Sequence, residues 1–293
     1  SEGQGVFRGT GVFIVGTPFF GSDTGKAYLF EGGDLSTDNV NPASEAKSTV
    51  TGPSPGALFA FDLAFLGQIE GNSNNEFGGG APGVGRAYII FGDRDPETID
   101  LSFASNMVLV LEGSAEYEFR FSISGDGDID EDGEETPDVI VGAPGRVMDM
   151  GSVFLYSGTE IETAFNDGTA IFFETEFTGI NPGDRFGESI SVMPDLTPLV
   201  EVEEETTANV LDLQISNADF GVSAPGTAEG TVYLFFGRDD FPAAVSASQA
   251  DITINGAPED LDFSIVVQGL GDVNGDLIDD FAVGGLGFIQ FYF

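Results

Sequence analysis

The chain has no cysteine, no histidine and no tryptophan, and only nine lysine and arginine residues among its 293. Lack of cysteine removes disulfides and thiolate metal sites, and leaves no mark of the redox compartment. Lack of histidine excludes Ser-His-Asp and Cys-His nucleophiles, imidazole-bound zinc and the usual pH switch near neutrality. Set against 50 acidic residues, the few bases leave a net charge of −41, about one net negative charge for every seven residues. That surface repels nucleic acid and anionic membranes and attracts cations. Its self-repulsion disfavours a compact chain unless salt or bound cations offset it. There is also no apolar run of about 18 residues, so membrane insertion is not expected. The polar, glycine-rich start at Ser1 reads as a processed terminus or as the edge of a fragment.

What is abundant points to strands. Twenty-eight Phe and six Tyr stand beside 42 Gly and 14 Pro. Aromatics fill pleated cores while Gly and Pro punctuate, so many short strands are expected and long helices are not.

Three sequence blocks recur in a fixed order. VGTP at 15–18 returns as GGAP (79–82), VGAP (141–144), VSAP (222–225) and VGGL (283–286), spaced 64, 62, 81 and 61 residues apart. Each is followed by a strand candidate: GKAYLFEGG from Gly25, GRAYIIFGD from Gly85, GSVFLYSGT from Gly151, GTVYLFFGR from Gly230 and GFIQFYF from Gly287. A third block precedes the GAP strings: FAFDLAF near Phe59, then FRFSIS (119–124), FGESISV (186–192) and LDFSIVV (261–267). A weaker fourth strand is read in MVLVLEG (107–113) and AIFFETEF (170–177).

About four antiparallel strands per unit, repeated every sixty residues or so, predict the blades of an all-β propeller. The units fall at about 1–50, 51–113, 114–178, 179–255 and 256–293, within one propeller domain spanning 1–293. A β-sandwich whose strands resemble each other only in composition would not return three blocks in one order. Residues 34–56 and 196–216 break the period. They read as a long surface connection and a solvated acidic insertion.

Between the first two strands of a unit lie carboxylate loops. In the last, GDVNGDLIDD places Asp272, Asn274 and Asp276 at alternate positions and Asp280 four further on, with Gly275 at the bend and Ile278 offering a carbonyl. Calcium takes six to eight oxygens, and such a loop delivers several from a few residues. The third unit supplies Asp128, Asp130, Asp132 and Asp138 with Gly133 at the bend; the alternative register is Asp130, Asp132, Glu134 and Asp138. Two calcium sites are therefore expected. A weaker third set is Gln68, Glu70, Asn72, Asn74 and Glu76 in the second unit. The fourth unit keeps Asp195 and Asp219 across its insertion and is expected to have lost the site, and in the first Val12 stands where the last ligand belongs. An EF-hand also begins Asp128-x-Asp130-x-Asp132-Gly133, but its twelfth position here is Val139 and the flanks are β-type.

With FGESIS at 186, GDVNGDLIDD at 271, and VGAP at 141 followed by GSVFLYSG, the chain resembles the FG-GAP repeats of integrin α-chain propellers and related surface proteins. The resemblance implies a propeller with calcium in hairpin loops on one face and ligand binding on the other, outside the cytoplasm. That family closes a ring of seven blades, whereas five units are visible here. They are read as a closed five-bladed ring or as part of a longer protein.

The expected function is a secreted or cell-surface adhesion, ligand-binding or assembly module without catalysis, its partner a protein, a glycan or itself. The rival is a carboxylate-based hydrolase or lyase, or an accessory domain of a secreted enzyme. Arg86, Arg146, Arg185 and Arg238, beside turns, read as local ion pairs ahead of anion anchors.

Overall fold

The computed structural model describes residues 5–8, 12–31, 43, 46–71, 75–92, 98–103, 107–112, 122–132, 136–193, 196, 218–257, 263–276 and 278–293. Among them are five sheets, met one after another along the chain and antiparallel apart from one added parallel strand in each of two. The first holds β1 (Gly5–Arg8), β2 (Val12–Thr17), β3 (Lys26–Glu31) and β4 (Ser48–Thr51). The second holds β5 (Leu63–Gly67), β6 (Glu76–Ala81), β7 (Arg86–Ile90) and β9 (Val108–Glu112). The third holds β10 (Ile123–Gly125), β11 (Val139–Ala143), β12 (Ser152–Tyr156) and β13 (Thr175–Thr178). The fourth holds β14 (Ile190–Met193), β15 (Asp219–Ala224), β16 (Thr231–Phe235) and β18 (Ile252–Asn255). The fifth has three strands, β19 (Val266–Gly271), β20 (Asp280–Gly285) and β21 (Phe288–Tyr292).

These sheets are the blades of a propeller, and alternation along each strand explains how they stack. In the third strand of a blade, the second and fourth residues after the leading glycine face the next blade. Those between them face the blade before. Ala87 and Ile89 thus join a core with Val141 and Phe154 of the third sheet, while Tyr88 and Ile90 join Ile14 and Ala27 of the first. Val153 and Leu155 meet Phe220 and Tyr233 of the fourth sheet, and Val232 and Leu234 meet Val267 and Phe281 of the fifth. Both faces of these strands are buried, which is why their sequences read as continuous apolar runs.

Side chains also pin the first strands of neighbouring blades together. The amide of Ile123 donates to Asp62 at 2.9 Å, that of Val192 to Ser124 Oγ at 2.9 Å and that of Gly269 to Ser191 Oγ at 3.0 Å. Two short strands staple blades at the outside: β8 (Thr98–Asp100) runs parallel to β4, and β17 (Ala244–Ser246) parallel to β13. Each arises within the following unit, a crossover that no sequence block announces.

Several expectations need correcting. The phenylalanines that open the third block lie before the strands. Phe59, Phe186 and Phe263 are fully buried plugs between blades, followed by left-handed Ala60, Gly187 and Ser264. Phe59 N donates to Thr24 O and Phe186 N to Met150 O, so these residues bond to the preceding blade before the strand starts. The stretch 34–56 is not all connection, since it contains β4. A helix, Gly158–Asp167, follows β12, and only Thr175–Thr178 of the stretch 170–177 and its end is strand. Residue 196 apart, the acidic insertion and Asp195 lie outside the described residues, as do Asn72, Asn74, Gly133 and Glu134.

A ring closed by the fifth sheet on the first is not seen among the described residues. The outward face of the fifth sheet is open, with Ile289 63% and Phe291 55% exposed. No helix among the described residues is long and apolar enough to cross a membrane.

Candidate metal centre

The loop between β10 and β11 gathers carboxylates. Oxygens of Asp128, Asp130 and Asp138 all lie within 4.8 Å of one another, the one such group of three among the described residues. Calcium–oxygen distances of about 2.3–2.6 Å put oxygens on opposite sides of one ion about 5 Å apart, so these three can share an ion.

Backbone amides shape the cluster. Asp138 Oδ2 accepts from Ile129 N at 2.7 Å and Asp130 N at 3.0 Å, and its Oδ1 accepts from Gly158 N, the first amide of the helix, at 2.8 Å. Asp128 Oδ1 accepts from Glu131 N at 2.9 Å and Asp130 Oδ1 from Asp132 N at 3.1 Å. These bonds fold the loop inward and turn like charges toward one point. No backbone amide reaches the buried Oδ2 of Asp130. Asp132 is exposed, accepts from Ser157 Oγ at 3.4 Å and adds its charge beside Asp130 without being one of the three.

Such crowding acts on protonation. Burial, then the charge of Asp130, pushes the Asp138 carboxyl up to about 8. Burial also raises Asp130. Glu174, just before β13, is pushed up to about 7 by burial and by sharing a hydrogen bond with Asp130. Sequence spacing did not find Glu174, because it arrives from the far side of the blade. A cation at this cluster would replace protons that the carboxyls otherwise hold.

The fifth loop repeats the pattern in a more open form. Asp280 Oδ2 accepts from Val273 N at 2.8 Å and Asn274 N at 3.2 Å, and Asp272 Oδ1 from Gly275 N at 2.6 Å. Asn274 Oδ1 accepts from Asp276 N at 2.8 Å, and Asp276 Oδ1 from Ile278 N at 3.0 Å. The Asn274 amide donates to Asp276 Oδ2 at 3.0 Å. Asp272, Asn274 and Asp276 are exposed and Asp280 is buried.

In the second loop, Glu76 Oε2 accepts from Ile69 N at 2.7 Å and its other oxygen is buried without a partner. Burial, opposed by that bond and reinforced by Glu70, pushes Glu76 up to about 7. Gln68 is exposed and Glu70 half-buried. In the fourth, Asp219 accepts from Leu196 N at 2.7 Å. The carboxylate opening the second strand thus clasps its own loop in four blades, a structural role that precedes any metal. All three metal-type loops bend at one position, in the left-handed region: Gly71 (φ 62°), Glu131 (φ 50°) and Gly275 (φ 86°). In the third loop the residue at that position is Glu131; Gly133, the expected bend, lies outside the described residues.

The four arginines are ion-paired. Arg86 lies 2.9 Å from Glu112, Arg146 2.9 Å from Glu176 and Arg185 2.7 Å from Glu188, and Arg238 meets Asp251.

No family model matches the sequence, and no curated protein matches it. Among solved structures, the chain is similar to one described as the Dos1 propeller, with a TM-score of 0.50 and 12% identity over 95% of this chain. It spans 51% of the length of that chain. At that identity the likeness is one of fold, and it agrees with the five stacked sheets: the chain has a β-propeller fold.

Proposed function

We infer that this propeller is a calcium-stiffened interaction module of the FG-GAP type, acting outside the cytoplasm in adhesion, ligand binding or surface assembly, without catalysis. One observation carries the reading: Asp128, Asp130 and Asp138 converge within 4.8 Å, and no backbone amide reaches the buried Asp130 Oδ2. A hard divalent cation satisfies such an oxygen set, whereas the bare cluster must hold protons. Asp128, Asp130 and Asp138 would hold the ion in the third blade; Asp272, Asp276 and Asp280 would do so in the fifth. The bound ion supplies charge neutralisation and loop rigidity. A rigid scaffold with loops at its rims suits recognition of a protein or glycan.

Calorimetric calcium titration of the chelator-treated protein tests this. Saturable binding lost in Asp130→Asn and weakened in Asp276→Ala is expected, with a calcium-dependent rise in melting temperature. Titration without specific heat would reduce these loops to acidic turns. A second reading, carboxylate acid–base chemistry, draws on the Asp130–Glu174 pair and its raised protonation range. Hydrolysis of a glycan, abolished by Glu174→Gln while calcium binding persists, would favour it.

A further inference from the structure

The chain contains two Asn-Gly pairs, Asn255–Gly256 and Asn274–Gly275, and the fold treats them oppositely. An asparagine followed by glycine is open to attack on its side-chain amide by the next backbone nitrogen, since glycine has no Cβ to hinder the ring that forms. Asn255 ends β18, and its successor is locked in place. Gly256 is buried, its N donates to Gly230 O at 3.0 Å, and a Cβ on it would lie 2.6 Å from the Phe263 side chain. The surroundings of the second pair are open. Asn274 and Gly275 are both exposed, and nothing lies within 4 Å of a Cβ built on Gly275, whose φ is 86°.

The groups around Asn274 also stand where a reaction needs them. Gly275 N, the nucleophile, donates to Asp272 Oδ1 at 2.6 Å, so a carboxylate is placed to take its proton. Asn274 Oδ1 accepts from Asp276 N at 2.8 Å, a donor aimed at the oxygen on which negative charge develops when Cγ is attacked. Asn274 Nδ2, the leaving nitrogen, donates to Asp276 Oδ2 at 3.0 Å and to Asp280 Oδ1 at 3.4 Å. Nucleophile, base and oxyanion donor all come from residues 272–276. Around Asn255 the arrangement differs: its Oδ1 accepts from Thr231 Oγ1 at 3.1 Å, and the acceptor on Gly256 N is a neutral carbonyl.

We propose that Asn274 is a self-modifying site, deamidated by its own loop. Gly275 N bonds to Asn274 Cγ and gives its proton to Asp272. The Cγ–Nδ2 bond then breaks, and the nitrogen takes up one proton and leaves as ammonia. Water opens the resulting succinimide. Attack at Cγ leaves an aspartate, and attack at the backbone carbonyl carbon leaves an isoaspartate with the chain running through Cγ. Either product adds one negative charge to the loop. The aspartate product repeats the third loop, where Asp130 holds the equivalent place and its Oδ1 accepts from Asp132 N, as Asn274 Oδ1 accepts from Asp276 N. A role for the new carboxylate in holding calcium rests on the reading above; the modification itself does not.

Peptide mass spectrometry of the chelator-treated 293-residue protein, sampled over time in mildly alkaline buffer beside the same protein unfolded in guanidinium, tests this. The readout is the mass gain of an amide-to-acid exchange at each asparagine. Expected in the folded protein is conversion of Asn274 at least tenfold faster than that of Asn255, with the two rates drawing together in the unfolded chain. Asp272→Asn should slow conversion of Asn274 at least tenfold in the folded protein and leave the unfolded rate unchanged, with a melting curve to confirm folding. The comparison of the two asparagines needs no variant, so it stands if Asp272→Asn does not fold. Asn274 left intact in the folded protein while it converts in guanidinium overturns the proposal, because the loop then guards the pair. Equal rates at Asn274 and Asn255 in the folded protein, or an undiminished rate in folded Asp272→Asn, overturn it as well.

Discussion

Single residues in the carboxylate loops show what spacing can and cannot reveal. Asp128, Asp130 and Asp138 were legible because ligand-type residues recur at short intervals. The left-handed turn at Glu131 and the arrival of Glu174 were not, since each depends on backbone conformation or on a distant strand. Glu131 holds a φ of 50° where the equivalent loops have Gly71 and Gly275. A left-handed non-glycine residue costs about 1–2 kcal/mol, of which glycine returns part to the unfolded chain. Glu131→Gly should therefore stabilise the protein by roughly 1 kcal/mol in urea melts. Glu76 gives a pH prediction. Its folded carboxyl is raised from 4.5 to about 7, so the folded state binds the extra proton. The stabilisation is complete below pH 4.5 and lost as pH rises through 7. Glu76→Gln, which mimics the protonated acid, should flatten the fall in stability between pH 5 and 8.5 and stabilise the protein at the alkaline end. The gain is on the order of 1–2 kcal/mol, allowing for solvent screening.

At the scale of elements, the strands after each leading glycine were legible as apolar runs, and so was their role as blade centres. The parallel staples β8 and β17 were not, because three residues carry no periodicity. Nor was the plug conformation of Phe59 and Phe186, whose FG-type blocks read as strand when their backbones in fact bond to the preceding blade. The glycines show why. Gly151→Ala must place a methyl 2.1 Å from Phe186 O at a φ of 86°, adding overpacking to backbone strain at about 2–5 kcal/mol together. Gly287→Ala, at a φ of 87° with open space around it, should cost only the strain, about 1–2 kcal/mol. Denaturant midpoints of the two variants at dilute, monomeric concentration measure the difference; equal losses would mean that the close approach of blades does not constrain Gly151.

For the whole molecule, the net charge of −41 raises the question of whether cations act diffusely or at sites. Blade number and stacking could be read from the repeat, but the open fifth face could not, because closure is a matter of which surfaces meet. Diffuse repulsion between exposed carboxylates falls away once the Debye length drops to about 3 Å near 1 M salt. Sodium chloride alone should therefore raise the melting temperature of the chelator-treated protein and then level off. The Asp128–Asp130–Asp138 cluster is different, since its oxygens lie within 4.8 Å of one another and two of its residues are at most 6% exposed. Salt does not screen charges held that closely and that far from water. Millimolar calcium should accordingly add a further rise in melting temperature at 1 M sodium chloride, and Asp130→Asn should abolish most of it. If the increment vanishes in high salt, calcium acts as one more counterion of the acidic surface, and the clustered aspartates are held together by shared protons alone.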